Sequence, residues 1–188
     1  MGFTFEKLEI SEVILVTSKS FTDERGFFLE NFKDSEFTIN GINTKFVQDN
    51  FSHSIKGVLR GLHYQKNTKA QAKLVTALTG EIFDVAVDIR KNSPTFGKWV
   101  GEILSDKNHK SLYIPEGFAH GFCVLSEEAD VFYKVNNEYS PENERGILWN
   151  DSQINIMWPI NTPILHEKDS TLPLLQNADI DFIYTRDK

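Results

Sequence analysis

The chain has 188 residues, 40% hydrophobic and 25% charged, enough for one generous domain with a full core. Its net charge of −7 argues against nucleic acid or an anionic membrane as the main partner, while a few local cations could still hold an anionic small ligand. One cysteine, Cys123, excludes an internal disulfide; with no basic leader in "MGFTFEKLEI" and no apolar run near the ~18 residues of a membrane span, a cytoplasmic protein is expected.

Taken in chain order, short apolar runs follow one another, each broken by turn residues. They are "EVILV" (12–16), "GFFLENF" (26–32), "KFVQDNF" (45–51), "GVLRGLHYQ" (57–65), "AKLVTAL" (72–78) and "EIFDVAVDI" (81–89). "KWVGEIL" (98–104), "KSLYIP" (110–115), "GFCVLS" (121–126), "ADVFYKV" (129–135), "GILWN" (146–150) and "INIMWP" (154–159) continue the series. Val, Ile and aromatic residues at a spacing of about 8–12 residues predict strands of a sandwich or barrel. Only "DSEFTIN" (34–40) predicts a short helix, with Asp34 or Ser35 as N-cap and Gly41 at its end. Without long helices between the strands a doubly wound α/β fold is excluded, and an all-β jelly-roll sandwich is expected. The tail after Trp158 carries Pro159, Pro163 and Pro173 and is expected to wrap the body as loops, pinned by Phe182, Ile183 and Tyr184. Residues 1–188 are read as a single domain.

Several of these runs carry residues that packing alone does not explain. "DERG" (23–26) reads as a turn before the next strand. In "GVLRGLHYQ", Arg60 and His63 interrupt an otherwise apolar strand, and an Arg there is costly unless something anionic meets it. Strict alternation puts the two on opposite faces, so a bulge or twist at Gly61 is needed for both to reach one cavity. Lys73 in "AKLVTAL" shares a face with Val75 and Ala77, which is awkward for an ammonium. His120 in "IPEGFAHGF" lies where a loop re-enters a strand, a place that presents side chains to pockets or satisfies them with backbone. In "ADVFYKV", Tyr133 points inward with Val131 and Val135; a buried Tyr can equally be there to bond its hydroxyl. Asp169 lies in the charge-rich "EKDSTLP" (167–173), which reads as a loop. His109 reads as solvated in a polar turn, His166 as structural, and His53 has no evident partner.

"PEGFAHGF" (115–122) fits the second cupin motif, PxGxxH, but "GVLRGLHYQ" supplies one His where a metal cupin supplies HxH and a Glu. Longer blocks are more specific. "FTDERGFFLENF", "FVQDNFSHSIKGVLRGLHYQ", "AKLVTALTGEIFDVAVDIRKNSPTFGKWVG", "YIPEGFAHGFCVLSE", "VFYKVNNEYSPENERGILWND" and "EKDSTLPLL" resemble, in order, the dTDP-4-dehydrorhamnose 3,5-epimerase (RmlC-type) family. That resemblance implies a cupin-type jelly-roll homodimer acting on dTDP-4-dehydro-6-deoxy-D-glucose, with no metal or organic cofactor. It implies His63 as base, Asp169 as its carboxylate partner, Tyr133 as acid and Lys73 as the cation near the C4 oxygen. It implies phosphate or nucleotide contacts from Arg25 and Arg60, contacts at the thymidine end from Glu30, Gln48 and Asn50, Tyr139 stacked on thymine, and Phe27 as a further substrate-binding residue. His120, Glu144 and Lys168 fall at substrate-contact positions, and the Arg25 to Glu30 stretch is expected to serve the neighbouring subunit's site. His166 in "LHEKD" and the "KVNNEY" run depart from the family pattern beside the sugar and base pockets. A relative that inverts only C3 or only C5 or acts on another nucleotide-linked 4-keto sugar, a non-catalytic nucleotide or sugar binder, and a metal-dependent cupin oxygenase or isomerase are the alternatives.

Overall fold

β-Branched and aromatic runs set the strands of a computed structural model that describes residues 2–185. In chain order they are β1 (Phe3–Lys7), β2 (Ile14–Ser18), β3 (Ser20–Asp23), β4 (Gly26–Leu29), helix α1 (Asp34–Ile39), β5 (Gln48–Ile55), β6 (Leu59–Gln65) and β7 (Lys73–Thr79). There follow β8 (Glu81–Asp88), β9 (Trp99–Ser105), β10 (Lys110–Ile114), β11 (Phe118–Val124), β12 (Glu128–Val135), β13 (Glu144–Gly146) and the one-turn helix α2 (Glu167–Ser170). A 3-10 turn covers Leu175–Asn177. Six strands form one sheet in the order β1-β2-β10-β7-β12-β5, and five form a second in the order β13-β6-β11-β8-β9. The pairings between these strands are antiparallel, and β3 and β4 make a separate hairpin. Apart from β1–β2 and β8–β9, neighbours in both sheets are non-sequential, which gives the expected jelly-roll sandwich. No helix of the described residues is long and apolar enough to cross a membrane.

Three apolar layers explain why strands such as β11 are buried along their whole length instead of alternating. Between the sheets, Leu15, Val75, Leu112 and Val131 of the first meet Ile82, Ala86, Leu104, Phe118 and Phe122 of the second. On the outer face of the second sheet, Leu62, Tyr64, Val85 and Val87 are covered by Ile147, Ile154 and Ile156 of the segment before Trp158 and by Leu175, Ile180 and Phe182 of the tail. On the outer face of the first, Val16, Leu74 and Tyr113 are covered by Phe37 and Ile42. The tail is pinned as expected: Ile183 bridges to Lys91, and the Arg90 guanidinium stacks 4.6 Å from the Phe118 ring and 5.0 Å from that of Tyr184.

The structure corrects three local expectations. The N-cap of α1 is Lys33, with no side-chain cap; neither Asp34 nor Ser35 fills that place. The helix is held by Phe37, whose ring packs within 5.2 Å of those of Phe3, Phe5 and Phe32. The runs 146–150 and 154–159 are not strands beyond Gly146, because their isoleucines cover a sheet face from an irregular backbone. Asp169 lies on α2, not on a loop.

Candidate active site

Side chains of both sheets and of α2 line a cavity of about 470 Å³. Alternation decides which side chains enter it. On β7, Val75 and Ala77 fill the inter-sheet core, and Lys73, two residues before Val75, continues that face into the cavity. On β12, Val131 is core and Tyr133 lies two residues on, packed against the core and lining the cavity. From the opposite sheet come His63 of β6 and His120 of β11, while α2 brings Asp169 and Lys168.

Arg60 and His63 both line this cavity, the outcome for which a bulge or twist at Gly61 was needed. His120 pairs with His63, but Phe122 pairs with Arg60, so β6 carries one extra residue across that interval. That bulge turns the strand enough to cancel the opposition of alternate residues. Gly61 sits in it at φ 135°, and a Cβ there would lie 2.6 Å from the Gly121 Cα. Arg60 is exposed, its Nε donating to Ser54 Oγ at 3.0 Å, so it was never a core residue.

His63 is hydrogen-bonded through Nε2 to Asp169 Oδ1 at 2.7 Å. A carboxylate only accepts, so Nε2 carries the proton and Nδ1 keeps its lone pair outside that bond. Burial alone would raise the Asp169 carboxyl, but the His63 bond and charge and the Gly61 N–H outweigh it and hold the group below the usual range. Helix α2 fixes the distance, capped by His166 Nδ1, which accepts from the Lys168 N–H. The His166 ring also lines the cavity. Burial raises the Tyr133 phenol, so it keeps its proton well into alkaline conditions. Burial also pulls the Lys73 ammonium down to about 8, against the opposing charges of Asp84 and Glu144.

Gln48, Asn50 and Tyr139 line an adjoining recess of about 230 Å³ that shares His63, Lys73, Tyr133 and Glu144 with the main cavity. Glu144 stands at the junction and accepts from the Tyr139 hydroxyl at 2.9 Å and from the Lys168 ammonium. Arg25, Phe27 and Glu30 are outside both spaces. They belong to the β3–β4 hairpin and its exit, where Arg25 bonds Asp23 at 2.6 Å with its side chain 85% exposed. His109 is half-buried and stacks 5.2 Å from Phe27, and His53 has a partner after all, Asp130 at 2.8 Å.

The residue missed from the sequence is Asp84. Its Oδ1 lies 2.7 Å from His120 Nε2, a second His–Asp pair, and it is fully buried. Its signal was present: a carboxylate between apolar neighbours in "EIFDVAVDI", a strand buried from Asp84 to Asp88. Among the described residues no three of His, Cys, Asp and Glu come together as a set that could hold a metal ion.

A family model described as dTDP-4-dehydrorhamnose 3,5-epimerase matches residues 7–177. A protein of that description from Shigella flexneri is 60% identical over 174 residues, covering 92% of this chain and 96% of its own. A crystal structure of the Legionella pneumophila 3,5-epimerase in complex with dTDP-4-keto-L-rhamnose superposes with a TM-score of 0.93 at 48% identity, over 98% of this chain and 100% of that one. A second, the Bacillus anthracis enzyme with TDP and pyrophosphate bound, gives 0.89 at 46% identity, over 92% of this chain and 99% of that one.

Proposed function

The chain belongs to the dTDP-4-dehydrorhamnose 3,5-epimerase family, and on that premise we propose how its cavity inverts C3 and C5 of dTDP-4-dehydro-6-deoxy-D-glucose to give dTDP-4-dehydro-L-rhamnose. Both carbons flank the C4 ketone, so removing either hydrogen as a proton leaves its electron pair on the C4 oxygen as an enolate. His63 takes that proton on Nδ1, and Asp169 supports the imidazolium that forms. Lys73 supplies the positive charge beside the C4 oxygen. Tyr133 then returns a proton to the carbon, and the configuration changes only if it does so from the face opposite His63. His63 and Tyr133 afterwards regain their starting protonation states by exchange with solvent, ready for the second carbon. One observation carries this reading: His63 and Tyr133 enter the same cavity from opposite sheets of the sandwich.

The nucleotide reading follows the recess. Arg60 suits phosphate oxygens, as does the exposed Arg25 if it reaches a second subunit. Gln48, Asn50 and Tyr139 suit the thymidine end, with Glu144 contacting the substrate at the junction and His120 and Lys168 in the main cavity. A homodimer is supported by exposed apolar side chains, Phe27 and Phe28 on the hairpin and Phe51 and Ile55 on edge strand β5, from 57% to 63% exposed. In that dimer Arg25, Phe27 and Glu30 complete the partner's site. The whole chain reads as one domain, since each sheet draws strands from distant parts of the sequence. A cytoplasmic setting fits Cys123, which is buried and unpaired.

The test is turnover in an assay coupled to reduction of the product. His63→Ala and Tyr133→Phe should each lower kcat by about 10²–10⁴-fold. Unchanged turnover in both variants would show that these residues are not the base and the acid.

A further inference from the structure

Lys73 is an ammonium set among apolar neighbours, and its surroundings form a directed chain. Its Nζ lies 3.4 Å from His120 Nδ1, and His120 Nε2 lies 2.7 Å from Asp84 Oδ1. The three residues are 8%, 6% and 0% exposed. Because the carboxylate can only accept, His120 carries its proton on Nε2, and Nδ1 is left to accept from the Lys73 ammonium. The neutral ring therefore bonds a cation on one side and an anion on the other. Asp84 reaches this position from β8, between the core residues Ile82 and Ala86. Its Oδ2 accepts no hydrogen bond among the described residues. Packing does not call for a half-paired carboxylate there, and burying one is costly. A negative charge one imidazole away from a buried ammonium is what the position supplies.

We propose that Asp84, acting through a neutral His120, is the positioning residue that keeps Lys73 protonated and aimed into the cavity. This rests on the reading of Lys73 as the stabiliser of the enolate. Burial, the largest influence on both groups, lowers Lys73 to about 8 and holds His120 below the usual imidazole range, while the Asp84 charge raises each. Arg60 and His63 of β6, Tyr133 of β12, Glu144 of β13, His166 at the cap of α2, and Lys168 and Asp169 of α2 also face the cavity. Of the other two carboxylates, Glu144 is already bonded to Lys168 and Tyr139 and Asp169 to His63, which leaves Asp84 as the anion dedicated to Lys73.

The sign of the pH effect follows. Turnover that needs the ammonium is lost as pH rises through the Lys73 value, and removing the nearby negative charge lowers that value. Tyr133, raised by burial, gives its own loss only at higher pH.

The experiment is the pH profile of kcat for the full chain and for Asp84→Asn, with Lys73→Met measured beside it. Asp84→Asn should move the alkaline limb toward acid by about one pH unit, the lower end of what an opposite charge does at close range, with the acid limb in place. Asp84→Glu, which restores the charge, should return the limb toward its original position. Asp84→Ser, smaller and equally uncharged, serves if the Asn variant does not fold. A lowered kcat with the alkaline limb unmoved, together with an inactive Lys73→Met, overturns the role of Asp84 alone. Normal turnover in Lys73→Met overturns the reading of Lys73 on which it rests.

Discussion

At the scale of single residues, the site separates two tasks between two similar pairs. His63 is 30% exposed on its side chain and keeps a free ring nitrogen, so it can meet substrate, whereas His120 is fully engaged on both nitrogens. The difference lies in what the second nitrogen faces: open cavity in one case, an ammonium in the other. Asp169→Asn keeps the shape of the first pair but removes the anion that supports the imidazolium and fixes the tautomer. It should lower kcat by about 10²–10⁴-fold with little change in KM, measured by initial rates. The same residue contributes to stability against acid. Its folded-state value lies below the unfolded carboxylate value, so its contribution is present at neutral pH and is lost as pH falls through the folded value. Asp169→Asn should therefore flatten the fall of the melting temperature on the acid side.

At the scale of elements, the bulge in β6 matters most, because it alone brings Arg60 and His63 to one cavity. Gly61→Ala would place a Cβ against the Gly121 backbone at a φ of 135°. We expect a loss of at least ~2 kcal/mol in urea unfolding, together with a fall in activity in the fraction that stays folded. This requirement was legible in the sequence, since the two side chains could not otherwise share a face. The inward faces of Lys73 and Tyr133 were legible for the same reason, each standing two residues from a core valine. Elsewhere the local pattern had nothing to say. A four-residue helix such as α2 is about one turn long, too short to show a period. Ile147, Ile154 and Ile156 looked like strand residues because burial against a sheet selects the same side chains whether or not the backbone joins a ladder. Asp84 and His120 are 36 positions apart, and only the pairing of β8 with β11 brings them together.

For the whole molecule, the jelly roll works as a clamp with two unlike walls. The sheet holding β7 and β12 supplies Lys73 and Tyr133, read here as the cation and the acid, and the sheet holding β6, β8 and β11 supplies both His–Asp pairs except Asp169. The apolar edge of β5 and the β3–β4 hairpin lie outside this clamp and are the surfaces read as the dimer contact. Phe51→Glu should shift the chain from dimer to monomer in sedimentation. Arg25→Ala should leave the dimer intact and raise KM about 10–100-fold, the effect of losing a charged hydrogen bond to the nucleotide. A wild-type chain that sediments as a monomer at all concentrations would remove the shared-site reading. The central claim, that one cavity inverts two carbons through enolates, is tested most directly by running the reaction in deuterated water and examining the product by NMR. Deuterium at both C3 and C5 is expected; deuterium at only one of them would contradict it.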